Sequence, residues 1–471
     1  MQLINTSKSG ASGLNWQFKA QKIMPVKLII LSIIASLLCT DTKAQNNINL
    51  SQAINSAWAN RKNIQAGKLD ISIRKLQTAA LLKKYWPQLS FEYNYLFNPI
   101  LQTSILPIGI FNPSFPIDAT KAIQFGTKWS QSADLTLMQP LIDQTVKSQL
   151  KESALQEKIT SASQAQTEYE LAYTVAKAYL DICVQERQIQ VATADTARTW
   201  ISYKLLKDKF DSQRLLKSEL NKAKVNHNNT LQKLKDAVSQ LVEDKVYLLF
   251  LMGRPDIEKA DFTVDTNFYK PGRDLKKALL FQKDSIPELQ QLELQGKLSG
   301  LQVQSEKAKY IPSLNLKGHL GANQYTNNFN PVEPNSWFGS SYIGIDLKLP
   351  LLFGEDKQSK IQQLHQQELQ FNQQKEDKSA QYAKDAFTAN LKYERVLEQI
   401  QTLGENIELQ KETLVILHER VLEGQETASA LNTQEVELQS TEAQKATAEQ
   451  QLSLYWLDYL KAMGQLRILW N

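Results

Sequence analysis

YWPQLSFEYNY at residues 85–95 and YIPSLNLKGHL at residues 310–320 follow one pattern. Each begins Tyr-x-Pro-x-Leu and continues with apolar residues that alternate with polar ones, which is typical of a β-strand with one apolar face. Residues 50–95 and 275–320 superimpose without a gap at an offset of 225. The sequence therefore predicts a tandem duplication in which a helix leads into a strand in each half.

Each of these strands is expected to pair with a second alternating segment, found at residues 133–137 and 343–349. The intervening residues, 98–130 and 322–340, have the Pro, Asn and Gly content of surface loops. This predicts β-hairpins at 88–140 and 313–351, with strands of the length that a tilted membrane strand needs, about 9–11 residues. An ordinary sheet packed on helices is the alternative. In a barrel, the polar residues facing the lumen would be Glu92, Asn94, Asn315, Lys317, Asp346 and Lys348.

The remainder of each half is predicted to be a long helical hairpin. No proline occurs between Leu141 and Gly253 or between Gly354 and Gly464, and apolar residues recur every seven positions, as at Ile400, Ile407 and Leu414. Each helical stretch is interrupted once, near residue 212 and near residue 424. A helix over residues 143–211 would be about 100 Å long at 1.5 Å per residue, longer than a compact domain of this size.

Four strands cannot close a barrel, and an open sheet edge is not tolerated in lipid. If the strands span a membrane, several chains must contribute, and three or more leave an aqueous lumen that suits the polar face. The expected fold class is mainly α with membrane β. Duplicated long helical hairpins form a trimeric α-barrel tunnel, and each chain adds four strands to a shared 12-stranded outer-membrane β-barrel.

The N-terminal region is predicted to be a leader with a cleaved signal peptide, residues 1–44. An apolar run from Leu28 to Cys39 follows Lys22 and Lys27, and Ala44 ends a suitable cleavage site. A lipoprotein acylated at Cys39 is a weaker alternative, because the bulky Leu38 precedes it. The first repeat then covers 45–257 with its tip near 212, a linker covers 258–273, and the second repeat covers 274–471 with its tip near 424.

Composition excludes several classes of function. Charged residues make up 22% of the chain, too many for a helical bundle immersed in lipid, and a net charge of +5 with interspersed signs gives no basic face for nucleic acid. Two Cys and four scattered His are too few for a zinc site. The pair His365 and Glu368 lacks a third ligand or a nucleophile. We expect no enzyme, no metal and no cofactor.

The duplicated order of helix, Tyr-x-Pro-x-Leu strand, loop, strand ending in Pro-Leu, long hairpin and Met-Gly resembles the TolC-like outer-membrane efflux protein family. The resemblance covers residues 48–467, with Pro140-Leu141 matching Pro350-Leu351 at the strand exits. It implies a homotrimer in outer-membrane lipid, continued by a helical tunnel through the periplasm. It also implies docking on a periplasmic adaptor protein and an inner-membrane efflux pump or ABC transporter, as in tripartite efflux or type I secretion.

The resemblance also implies where partners and the entrance lie. Adaptor-docking tips would be Ser212, Gln213, Arg214, Leu215, Gly424, Gln425, Glu426 and Thr427, with Ser212 at the place of the usual glycine. The periplasmic entrance, about two turns beyond the tips, would involve Ser218, Asn221, Ala430 and Thr433. Because none of these is an aspartate, no aspartate ring is expected. Considered only as positions on a helix, Arg214, Glu426 and Glu435 are predicted to be exposed to solvent.

Two functions from other classes remain open on the sequence. A secreted structural coiled-coil protein would share the long helices, and a periplasmic adaptor would share a helical hairpin. An adaptor is expected to have one hairpin and small β-domains, whereas this chain repeats the hairpin and carries barrel-like strands.

Overall fold

The computed structural model describes residues 47–111, 114, 116–254, 262–265, 281–330, 332, 336–350 and 355–470. The predicted signal peptide, Cys39, and the linker 258–273 apart from residues 262–265 lie outside the described residues. The described residues all belong to one unit, Asn47–Asn471. Among them, none of the helices has the length and apolar character that crossing a membrane requires.

The helices are α1 (Leu50–Asn60), α2 (Lys62–Leu82), the short α3 (Ile108–Phe111), α4 (Gln144–Asp211), α5 (Lys217–Leu251), α6 (Pro287–Ala308), α7 (Glu355–Glu423) and α8 (Ala428–Ala462). The 68 residues of α4 and the 69 of α7 each extend about 100 Å. Local signals set their ends. The Asp143 carboxylate accepts hydrogen bonds from Thr145 N at 2.8 Å and Val146 N at 3.3 Å, which caps α4.

The strands are β1 (Asn47–Ile48), β2 (Gln88–Phe97), β3 (Gln102–Pro107), β4 (Thr120–Phe125), β5 (Trp129–Ile142), β6 (Thr263–Val264), β7 (Ser313–Thr326) and β8 (Trp337–Lys348). The main sheet is antiparallel in the order β2-β5-β7-β8. Opposite residues in one row are Leu89, Leu137, Gly318 and Ile343. The segment 98–130, expected to be a loop, instead contains a hairpin in which β3 pairs with β4.

The long helices form four columns side by side. α2 and α5 make the first column, α4 the second, α6 and α8 the third, and α7 the fourth. Short helices meet long ones end to end: Arg61 donates to Phe250 O at 3.1 Å, and Gln282 N donates to Met463 O at 3.1 Å. Each long column is continuous in the chain with one strand of the main sheet: α2 leads into β2, β5 into α4, α6 into β7, and β8 into α7. The four helical columns therefore lie side by side in the same order as the four strands.

The largest buried cluster surrounds the middle of α4. Tyr179 is fully buried there, and its hydroxyl donates to Ile48 O at 2.9 Å while accepting from Asp265 N at 2.8 Å. This residue therefore ties α4 to the short parallel pair β1–β6. The cluster also contains the C-terminal turn through Leu466 and Leu469. Both repeats and the chain's last described turn thus share one core, while the helical hairpins and the sheet extend away from it.

The two hairpin turns have the same geometry but different residues. Gly424 has φ +77° and Gln213 has φ +60°, and their amides donate to Val421 O and Phe210 O respectively. The residue equivalent to Gly424 is therefore Gln213, one position beyond Ser212, which has φ −85°. The sequence comparison placed Ser212 opposite Gly424, one residue too early, because it used an offset of 212 residues, whereas the two turn residues are 211 residues apart.

Replacement of Gln213 by glycine is expected to stabilise the first turn. A non-glycine residue in the left-handed region costs about 1 kcal/mol, and glycine relieves most of this strain. We expect a small rise in the thermal unfolding midpoint of the detergent-solubilised protein. Ser212→Gly is the matched control, because Ser212 has negative φ and should gain nothing. An equal rise in both variants would contradict this assignment.

Candidate functional site: the two faces of the sheet and the helical tips

One face of the four-stranded sheet is apolar and exposed. Phe91 is 69% exposed and Ile343 is 77% exposed, although both lie in the interior of their strands. A soluble sheet covers such a row with helices, whereas a membrane strand leaves it to lipid. Other exposed side chains on this face are Leu89, Tyr93, Leu320, Ile345 and Leu347. The arrangement is that of a lipid-facing surface.

The opposite face of the sheet is polar except near the loop end, where Leu96 and Phe338 lie on it. The register places all six predicted lumen residues, Glu92, Asn94, Asn315, Lys317, Asp346 and Lys348, on this face. Lys317 Nζ lies 3.2 Å from Asp346 Oδ2, so the charges of β7 and β8 pair across strands. The separation of apolar and polar residues agrees with the alternation seen in the sequence.

The polar face also contains a cluster of three side chains whose contacts were not predicted from the sequence. His319 Nε2 lies 3.6 Å from Asp134 Oδ1, and the His319 ring stacks on Tyr342 at 5.2 Å between centroids. Each residue was visible as a polar position in an alternating strand. Their contact depends on the register of β5, β7 and β8, which sequence alone does not supply.

Aromatic side chains mark both ends of the apolar face. At the loop end, Trp129 packs on Phe97 at 4.3 Å, on Phe329 at 5.1 Å and on Tyr95 at 5.3 Å, measured between ring centroids. At the helix end, Trp86 is largely exposed just before β2. Two aromatic belts at the ends of an apolar band are typical of a strand that crosses a bilayer.

Both edges of the main sheet are open within the described residues. β2 pairs only with β5, and β8 pairs only with β7. The same sides of the helical wall expose apolar residues: Leu69 and Leu76 on α2 at one edge, and Phe387 and Leu391 on α7 at the other. Unpaired strand edges and unpartnered helix faces therefore coincide along the length of the chain.

The predicted tip residues form two adjacent turns at the far end of the helical hairpins. Ser212, Gln213, Arg214, Gly424 and Gln425 are exposed, while Leu215 and Glu426 are half-buried. Lys209 Nζ on α4 donates to the carbonyls of Val421 and Leu422 at the end of α7, the latter at 3.3 Å, which holds the two turns together. Thr427 Oγ1 accepts a hydrogen bond from Ala430 N at 3.2 Å and caps α8, so this hydroxyl is already hydrogen-bonded within its own helix.

The four predicted entrance residues lie in the first turns of α5 and α8. Ser218, Asn221 and Thr433 are exposed, and Ala430 is half-buried. Thr433 Oγ1 donates to Ser429 O at 2.9 Å. None of the four carries a charge, so an electrostatic barrier at this level would have to come from other residues.

A buried polar seam joins the first hairpin to α8. Glu435, expected on solvated surface, is only 2% exposed; it accepts from Ser202 Oγ and from Asn226 Nδ2, the latter at 3.1 Å. The sequence around Glu435, just after an exposed turn, did not indicate burial. Glu435 is buried because the neighbouring hairpin covers it. Arg198 lies 2.5 Å from Asp195 and 3.5 Å from Glu442. The contact of α7 with α8 is mainly apolar, and Leu206 of α4 and Ala223 of α5 belong to the same apolar cluster, so the two hairpins share both polar and apolar contacts.

Burial in this seam, together with the neighbouring Asp195, raises the pKa of Glu442 from 4.5 to about 7. The folded state therefore holds a proton that the unfolded chain releases at lower pH. We expect the thermal unfolding midpoint to fall as pH rises from about 4.5 to about 7, measured on detergent-solubilised protein. Glu442→Gln keeps a neutral side chain and should flatten this fall. An unchanged slope in that variant would assign the pH dependence to other groups.

No arrangement among the described residues suggests catalysis. They contain no group of three or more His, Cys, Asp or Glu that could hold a metal ion. His365 Nδ1 lies 3.6 Å from Glu368 on one exposed helix face. A cavity of about 420 Å³ between α4, α6, α7 and α8 is lined by charged residues that pair with each other, such as Lys461 with Glu170 at 2.7 Å. These contacts stabilise the wall.

Comparisons with known proteins agree with this geometry. Residues 283–465 match the family described as outer membrane efflux protein. No curated protein matches the chain in sequence. The fold resembles CusC at 14% identity, with a TM-score of 0.70 over 88% of this chain and 91% of CusC. It also resembles VceC of Vibrio cholerae at 12% identity (TM-score 0.68, 88% and 96% covered) and CmeC of Campylobacter jejuni at 12% (TM-score 0.68, 98% and 94% covered).

Proposed function

We propose that this TolC-like outer-membrane efflux protein forms a trimeric channel that conducts substrates passively from the periplasm to the exterior. The single observation that carries the proposal is the coincidence of open edges. The sheet and the helical wall end at the same two sides of the chain, and no described residue covers either side. A head-to-tail contact between such sides closes a ring when the rotation is right.

Ring closure with three copies supplies twelve strands. Eight strands from two copies leave an interior that side chains fill, whereas twelve leave a water-filled lumen. The lumen would then be lined by the polar face with Glu92, Asn94, Lys317 and Asp346, and the apolar face would contact lipid. The same rotation makes twelve helical columns, which continue the lumen into the periplasm for about 100 Å.

The helical tips are the proposed site of docking on a periplasmic adaptor, which would connect the channel to an inner-membrane pump or ABC transporter. Exposed residues of both turns, including Gln213, Arg214 and Gln425, support this proposal because the turns project away from the shared core. The alternatives of a secreted coiled coil or an adaptor give no reason for a four-stranded sheet with an exposed apolar face. We therefore place the chain at the outer-membrane end of the system.

Extraction of the protein from isolated outer membranes tests the proposal. We expect a heat-sensitive band at about three times the chain's mass on unheated gels, and the single-chain band after boiling. Inner-membrane and soluble fractions serve as controls. A protein recovered only in soluble fractions, or one that runs as a single chain without heating, would overturn the proposed function.

A further inference from the structure

The helix that follows the first tip carries a basic face. Between residues 217 and 240, α5 contains five Lys and two acidic residues. Lys217, Lys224, Leu231 and Val238 recur every seven residues, and all four are exposed. Residues seven apart occupy nearly the same angle on a helix, so they form one stripe. The stripe lies opposite the side that Ala223, Asn226 and Thr230 bury.

The helix that leads into the second tip carries the complementary face. Between residues 400 and 423, α7 contains five Glu and two basic residues. Glu398, Glu405, Glu412 and Glu419 also recur every seven residues and are exposed, with the exposed Leu409 and Ile416 alongside. This stripe faces away from Leu403, Ile407 and Leu414, which pack on α8. This helix face is therefore acidic, and no other described helix packs on it, although Glu405 accepts a hydrogen bond from Gln401 of the same helix at 3.3 Å.

The two stripes lie at the two open edges of the helical wall and at matching heights. α5 occupies the first column and α7 the fourth. α7 runs toward the tip and α5 runs away from it. A residue of α5 and a residue of α7 that are the same number of residues from their turns therefore lie at the same distance from the tip. Lys235 is 18 residues after Lys217, and Glu405 is 18 residues before Glu423, each about 27 Å from the tip. Lys224 is seven residues after Lys217, between the heights of Glu419 and Glu412, which are four and eleven residues before Glu423.

We propose that the acidic stripe of α7 docks on the basic stripe of α5 in a second copy of this chain, forming an ionic seam along the periplasmic half of the tunnel. The proposal rests on the trimer of the proposed function and identifies the contact that closes its tip end. Charge complementarity, a shared sevenfold spacing and matched heights select a second copy as the occupant.

The seam changes character along its length. Near the membrane the facing edges are apolar, with Leu69 and Leu76 on α2 and Phe387 and Leu391 on α7. Near the tip they are mainly charged, with the exposed apolar residues of the two stripes among them. Exposed ion pairs contribute little individually and are screened by salt, whereas apolar contacts are not. High ionic strength or a charged partner therefore weakens the contact at the tip end more than the contact in the membrane half, which keeps the three copies together.

Disulfide cross-linking tests the seam in the full-length protein. Lys235→Cys with Glu405→Cys, in a Cys183→Ala background, is expected to give dimer and trimer bands on boiled non-reducing gels. Lys235→Cys with Glu419→Cys is the matched control, because these positions differ by 14 residues, about 21 Å in height. Raising NaCl from about 50 mM to 1 M before oxidation should lower the matched pair's yield about threefold.

The outcomes separate this inference from the proposed function. A heat-sensitive trimer without cross-links in the matched pair, or with equal yields in both pairs, overturns the ionic seam and leaves the channel standing. Absence of the trimer overturns both. A cross-linked band whose mass matches another protein shows that a partner occupies the stripe, and this also overturns the proposal.

Charge reversal gives an independent test. Glu405→Lys with Glu412→Lys should raise the open probability of the channel in planar bilayers about tenfold while leaving the heat-sensitive trimer intact. Adding Lys224→Glu and Lys235→Glu should restore the wild-type value, since the signs are then exchanged across the seam. If the variant with all four substitutions does not recover the wild-type open probability, pairing of these two stripes is contradicted.

Discussion

Replacement of Ile343 by lysine should remove the channel from the outer membrane. Ile343 lies at the middle of β8 and is 77% exposed on the apolar face. A lysine on the lipid face near the bilayer midplane costs about 2–4 kcal/mol, and a trimer carries three copies of the change. We expect loss of the heat-sensitive band from outer-membrane fractions, with the chain degraded or recovered as an unassembled form.

The neighbouring residue provides the control. Gly344 faces the opposite, polar side of the same strand, and an added Cβ there meets nothing within 4 Å. Gly344→Lys should therefore assemble like the unmodified protein, because its ammonium group would project into water in the proposed lumen. Equal assembly of both variants would show that the exposed apolar face is not in contact with lipid.

Replacement of Gly424 by valine should abolish export without removing the trimer. Gly424 has φ +77°, and an added Cβ meets nothing within 4 Å, so the cost is backbone strain alone. A β-branched residue in this region costs about 1–3 kcal/mol and would distort the turn where the adaptor is proposed to dock. We expect normal outer-membrane trimer on unheated gels together with loss of substrate efflux from cells.

The matched control for the tip is Gly404→Ala within α7. This glycine is helical, and an added Cβ would lie 3.5 Å from Lys445 Nζ, an ordinary contact. Alanine also favours the helix more than glycine does. Efflux should persist in Gly404→Ala. If Gly424→Val retains wild-type efflux, or if it loses the trimer, the turn is not an adaptor-docking tip.

Much of the fold could be predicted from the sequence because its determinants are periodic. Alternation in residues 85–95 and 310–320 fixes which strand residues share a face, and the sevenfold repeat fixes the packing of α7 on α8. The structure confirms the fold class of long helical hairpins with a small strand contribution. Loop residues 98–130 lack this kind of repetition, and there the β3–β4 hairpin went undetected.

Features that depend on contact between distant segments were not predictable. Glu435 is buried because α4 and α5 cover it, and nothing in its local sequence distinguishes it from the exposed Glu437 two residues later. The equivalence of Gln213 and Gly424 required backbone angles, since a glutamine in the left-handed region is uncommon. The contact of His319 with Asp134 likewise required the register of two strands that belong to different repeats.

Single-channel recording with a cysteine on the polar face tests the central claim most directly. Gly344→Cys, in a Cys183→Ala background, would be treated with an anionic thiol reagent while a detergent-extracted trimer conducts in a planar bilayer. We predict that conductance changes in up to three equal steps, one for each chain around the lumen, and that Ile343→Cys shows no steps. Absence of conductance, or steps for Ile343→Cys and none for Gly344→Cys, would contradict a shared barrel with this polar face inside.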